Sequence, residues 1–460
     1  MGISSLGVGS SILTQDVLDQ LRAADESAQI TPIDLSLANE NDKKDALALI
    51  DASMTNLIDS ITEIKTQSLF DERSTTVSGT AVEVTAEANS DIQDFTLSVT
   101  NIATKQIEQS GAFTARTETI ANAAGSVSFS VGAAAPITID YDETTTLDDF
   151  KKLINDQAGD LVDATIVQIN SGEFRLFISA ANTGDAQNIA ISDTSGNLKD
   201  TRLTTSFDAS AVQTGINASF SFNGQAIERE SNSVDDLIAG LDITLKEAGT
   251  SVVSVEQNRD NIIEKIDSFV EKYNSAITEL GKMTKQSTDS AQRGIFSGES
   301  TIKNMKSTLQ DLISTIGGGV GYMADYGFDL DVDGKMTIDK TVFNAALDEN
   351  PANVEAFFSG GTYTNADTTT VELTGAFNEL ATVVEGYTKY NATLDLFEDS
   401  ITQSISALED RKESATSRLD TKYEILKKQY AAYDLIISQI NSASSMFTQM
   451  ADAQTAAQNS

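Results

Sequence analysis

The sequence predicts an α+β multidomain protein: a helical coiled-coil stalk built from paired N- and C-terminal segments, with β-rich (α+β) head domains inserted between them. Three observations predict it. Apolar residues near both ends recur at alternating three- and four-residue spacing, the mark of a helical seam. The middle alternates apolar and polar residues with the period of a strand. The length, 460 residues, exceeds what one core holds.

The chain opens with a Gly/Ser-rich stretch, Met1 to Ser11, too poor in apolar bulk to fold alone. Thr14 is placed to cap a short helix with Val17, Leu18 and Leu21 on one face. Pro32 breaks the chain. A longer helix then carries Leu47, Ile50, Met54, Leu57, Ile61 and Ile64. From Ser74 the pattern is β: Val77, Val82 and Val84, then Phe95, Leu97 and Val99. Residues 126–155 and 218–240 echo each other, each reading strand, strand, helix. The two helices are expected to be capped at Thr146 and Ser233, with Asp148-Asp149 and Asp235-Asp236 in their first turns, where the helix dipole favours anions.

Helical rhythm returns from Asn261, through Ile262, Ile266, Phe269, Tyr273, Ile277 and Leu280. Asp329, Asp331, Asp333 and Gly334 imitate the start of a calcium loop, but the twelfth position is Lys340 and the flanks read as strands, so a β-hairpin near 328–338 is expected. Gly317 to Gly321 is followed by Tyr322-Met323, without the Lys-Ser/Thr of a phosphate loop, and reads as a plain loop. The last helix is the strongest signal: Leu394, Phe397, Ile401, Ile405, Leu408, Ala415, Leu419 and Leu426, then Tyr430, Tyr433, Ile437, Ile440 and Phe447. Lys412 interrupts this stripe. A helix so long needs partners, and the N-terminal helix is the natural antiparallel one.

The expected domains are terminal segments 1–40 and 431–460; a helical leg from 41–75 and 258–430; a β-rich head from 76–112 and 216–257; and a second inserted head, 113–215. The stripes at 47–64 and 394–426 are assigned to the core. Those at 3–21 and 430–447 are assigned to an intermolecular surface, with Ile3, Leu6, Val8, Ile12, Leu13, Val17, Leu18, Leu21, Tyr430, Tyr433, Ile437, Ile440 and Phe447 as its residues.

Composition narrows the function. With 69 acidic and 31 basic residues the net charge is −38, which opposes binding to nucleic acid or to anionic membranes. Copies of such a chain repel, so self-assembly needs an apolar surface or segregated charge. Cys, Trp and His are absent, which removes disulfides, thiol nucleophiles, Cys/His zinc sites and a Ser-His triad. No catalytic residue, cofactor or metal site is assigned, and no enzyme is expected. The first sixteen residues lack the charged start and apolar run of a secretory signal peptide, and no apolar run is long enough to span a membrane. Two Asn-Ala-Ser/Thr triplets, at Asn217 and Asn391, receive no role.

Three segments resemble the flagellar filament cap family, also called hook-associated protein 2. They are GISSLGVGSSILTQDVLDQL near the start; IFSGESTIKNMKSTLQDLIST through YMADYGFDLDVDGKMTIDKTVFNAALDENPANVEAFFSG; and RLDTKYEILKKQYAAYDLIISQINSASSMFTQM near the end. Ser297-Gly298-Glu299-Ser300 and Gly327-Phe328 depart from the commoner Gly-Asp-Ser and Gly-Ile of the family. Residues 124–193 also resemble a small motif inserted in flagellins and caps. The resemblance implies a secreted, extracellular protein at the filament tip. It implies a homo-oligomeric ring, expected to be a pentamer, that helps exported flagellin fold and insert. The flagellar export apparatus and an export chaperone are the further partners it implies. Two alternatives stand beside this: another axial protein (flagellin or a hook–filament junction protein) and a tip-exposed adhesin displaying residues 113–215.

Overall fold

The computed structural model describes residues 14–199, 203, 211–317 and 319–458. They form two compact units. One comprises the chain up to residue 67 together with everything from residue 262; the other is the continuous segment 68–261.

In the first unit, Thr14 accepts a hydrogen bond from the Val17 amide and starts the opening helix, Gln15–Gln29. Only Ile30 separates it from the second helix, Thr31–Ile64, where Pro32 sits in the first turn and needs no intrahelical donor. Leu47, Ile50, Met54, Leu57, Ile61 and Ile64 are all buried. The helix Arg259–Met283 contributes Ile262, Ile266, Phe269, Tyr273, Ile277 and Leu280, also buried. A run of phenylalanines closes the core. Phe269 meets Phe377 edge-on with centroids 4.8 Å apart, and Phe358 lies 5.3 Å from both Phe357 and Phe377.

The hairpin expected near 328–338 is present as Phe328–Leu330 paired antiparallel with Met336–Ile338. Its turn explains the calcium-like spelling. The Asp331 carboxylate accepts from the amides of Asp333 and Lys335, each at 2.9 Å, and Gly334 takes a positive φ of 78°.

The last helix, Thr393–Gln458, runs without interruption for 66 residues. Ion pairs show that it lies antiparallel to the first two helices. Arg22 binds Asp420 and Lys422 binds Asp25 near the start of the hairpin, Lys412 binds Asp34 further along and Lys44 binds Glu398 further still, so from one helix to the next the partner's number falls as the chain advances. Lys412, which interrupts the apolar stripe, thus has a partner across the hairpin. The divisions expected at 40/41 and 430/431 fall within continuous helices.

The second unit holds two separate cores. In one, a five-stranded antiparallel sheet has the order Arg73–Ser78, Gly249–Gln257, Gln93–Asn101, Ala218–Phe222, Gln225–Arg229. A three-stranded sheet of Ser233–Val234, Leu241–Leu245 and Val82–Ala86 supplies Val84 and Ile243 to the same core as Leu97 and Val253. The other core gathers Phe113, Phe129, Phe150, Ile154, Leu176 and Ile178. It joins a four-stranded sheet, a three-stranded sheet and the helix Leu147–Ala158.

The internal echo holds only in part. Thr146 and Asp149 form a reciprocal capping box at the start of Leu147–Ala158, as the first copy requires. The helix expected after Ser233 is not formed. Ser233 and Val234 instead pair with Thr244 and Ile243, and the Asn232 side chain bonds both ways to the backbone of Ala103. What remains before the strand at Leu241 ends at Gly240 with φ of 78°, too short and too open for a helix.

Candidate assembly surface at the helical ends

The opening helix is held to the last one by a small apolar seam and a polar clasp. Leu18, Leu419 and Tyr423 are buried together, with Ile30, Leu426 and Tyr430 packed against them. On the rim, Asp25 accepts from Lys422 at 2.6 Å and from the Tyr423 hydroxyl at 2.7 Å. Those two bonds hold the Asp25 carboxyl below the ordinary range, Lys422 contributing most. Burial, then the bond to Asp25, pushes the Tyr423 phenol up to about 12. Arg22 bridges its own helix and the last one through Glu26 at 2.7 Å and Asp420 at 2.6 Å.

Beyond Tyr430 the last helix changes character. Tyr433, Ile440 and Phe447 are 57%, 60% and 71% exposed, and Ile437 is half-buried. Leu435, Ile436, Met446 and Met450 are also exposed and were not among the residues assigned from the stripe. A signal for them is in the sequence: residues 435–451 carry no ionisable side chain, in a chain whose charge is −38. A strict heptad reading follows one stripe and overlooks a helix left open over most of its circumference.

Among the residues assigned near the start, Val17 is half-buried and Leu21 is exposed. Leu18 and Tyr430 require correction. Both are engaged within the chain, because the antiparallel hairpin brings them onto Leu419 and Tyr423, so they are seam residues first. Ile3, Leu6, Val8, Ile12 and Leu13 lie outside the described residues.

The acidic pairs have structural work. Asp148 is held by Arg116 at 2.7 Å, and Asp149 completes its capping box. Asp236 is held by Arg229 at 3.0 Å. No group of three or more potential metal ligands occurs among the described residues. None of their helices is long and apolar enough to cross a membrane.

Two family models match: "Flagellar hook-associated protein 2 N-terminus" over residues 10–106 and "Flagellar hook-associated protein 2 C-terminus" over residues 215–442. A flagellar hook-associated protein 2 of Helicobacter pylori strain 26695 is 30% identical over 266 residues, 55% of this chain but only 38% of that protein's length. The same-named protein of Escherichia coli K12 is 27% identical over 470 residues, 97% of each chain. Among solved structures, the D1–D2–D3 domains of the Escherichia coli flagellar cap protein superpose with a TM-score of 0.59 at 22% identity. That likeness covers 78% of this chain and 99% of the other, and it concerns the fold.

Proposed function

The chain belongs to the flagellar hook-associated protein 2 family, and from that membership we propose that it caps the distal end of a flagellar filament, outside the cell. It is a non-enzymatic scaffold: copies form a ring, and exported flagellin folds and inserts beneath it. The observation that carries this reading is the pairing of the two family matches, one at each end of the chain, with an open apolar helix end.

The physics is consistent. A chain of net charge −38 resists self-contact, so its contacts belong where charge is missing. Tyr433, Ile437, Ile440 and Phe447, together with Ile3, Leu6, Val8, Ile12, Leu13, Val17 and Leu21, form the surface that meets neighbouring copies or filament subunits. A pentameric ring, flagellin, the export apparatus and an export chaperone are the partners of this reading. The flagellin and junction-protein alternatives lose ground, because both terminal matches are to hook-associated protein 2.

Deleting the gene tests the proposal. The mutant is expected to shed unpolymerised flagellin into the medium and to regain filaments when the full chain is supplied. Normal filaments in the deletion strain would refute it.

A further inference from the structure

Two exposed helical strips in the first unit carry opposite charge, and no ion pair engages either one among the described residues. On the last helix, Arg411, Arg418 and Ile425 follow one another at seven-residue intervals, with Lys428 beside them. Seven residues make nearly two turns, so the three share one face. All four are exposed, Ile425 to 51%. They lie off the seam that buries Ala415, Leu419 and Tyr423. No ion pair holds Arg411, Arg418 or Lys428 among the described residues, although Lys412 and Lys422 on the same helix are both engaged.

The second helix carries the counterpart. Leu35, Asp42 and Leu49 recur at the same seven-residue interval, with Asp45 alongside. Leu35 and Leu49 are 68% and 54% exposed, on the side away from buried Leu47, Ile50 and Met54. Asp42 and Asp45 are exposed and have no ion-pair partner among the described residues, whereas Asp34 on the same helix is paired.

Each strip thus combines uncompensated charge of one sign with exposed aliphatic side chains. In a chain of net charge −38 the acidic strip repels its own kind, whereas a basic strip of another copy attracts it. We infer that the two strips form a head-to-tail contact between copies: the Arg411/Arg418/Ile425 strip of one chain seats on the Leu35/Asp42/Asp45/Leu49 strip of the next. Two different patches make a heterologous interface, the type that closes into rings when the rotation allows. Opposite charge sets the register and the aliphatic residues supply the burial. The inference rests on the ring-forming reading above and assigns it a surface.

Charge reversal tests it on the full purified chain by sedimentation. Arg411→Glu with Arg418→Glu, and separately Asp42→Lys with Asp45→Lys, should each weaken self-association about tenfold or more, and all four together should restore most of it. The parent's association should fall as salt rises. A second measurement does not depend on these variants folding. The chain has no cysteine, so mixing an Arg418→Cys protein with an Asp45→Cys protein should give mainly mixed 418–45 disulfides. A monomeric parent, reversal variants that associate like the parent, or no preference for the mixed disulfide would overturn the inference. Filament growth by the deletion strain supplied with the parent chain reports separately on capping.

Discussion

Tyr273 is fully buried, yet its hydroxyl has no hydrogen-bond partner among the described residues. Burial alone pushes that phenol above its ordinary range. A buried, unsatisfied hydroxyl costs more than it returns. Tyr273→Phe is therefore predicted to leave stability unchanged or raise it by about 1 kcal/mol in denaturant unfolding. Asp25 behaves oppositely. Its depressed folded pKa means its contribution is complete above the unfolded value, about 3.9, and is lost as pH falls through the folded value. Spin labels on cysteines placed at Gln20 and Glu424 should report a broadened distance distribution in that acid range. Asp25→Asn should show the broadening already at neutral pH.

At the scale of elements, one device recurs. Four asparagine side chains each act as a one-residue strand, donating to and accepting from the same backbone residue. Asn155 pairs with Ala164, Asn232 with Ala103, Asn274 with Met336 and Asn353 with Thr364. Asn155 is the most consequential, because Val162–Asn170 is the outermost strand of its sheet and Ala164 would otherwise show bare backbone at that edge. Asn155→Leu is predicted to cost roughly 1–3 kcal/mol and to raise aggregation, read by unfolding and light scattering. Asn155→Asp keeps the acceptor and loses the donor, so it should fall between.

These asparagines mark the limit of what the sequence made legible. The long helices were readable because Leu47 to Ile64 and Ile262 to Leu280 repeat a period that survives any tertiary context. The Asp333-Gly334 turn was readable because Gly334 alone tolerates its backbone there. Ser233 is followed by the same Asp-Asp pair as the Thr146 cap, yet Ser233–Val234 forms a short strand, because Thr244 and Ile243 pair with it and Ala103 holds the neighbouring Asn232, all distant in sequence. Leu18 was assigned to the right face. Whether that face meets this chain or another depended on Leu419 and Tyr423 lying opposite, which periodicity alone does not reveal.

At the scale of the whole molecule, the two ends of the chain fold together and the sheet-bearing segment 68–261 is inserted between them. Removing residues 1–40 and 431–460 takes away the Leu18 seam partner and the open apolar end while leaving the buried run from Leu47 to Ile64. The truncated chain should keep a cooperative thermal transition and lose filament assembly. Global unfolding by circular dichroism would instead place those ends in the core.

Electron microscopy of native filament ends, with this chain tagged in the 113–215 head, tests most directly where the protein acts. Label is expected only at the distal tip, as a ring whose helical ends point into the filament. Label along the filament wall or at its junction with the hook, over a bare distal tip, would contradict it.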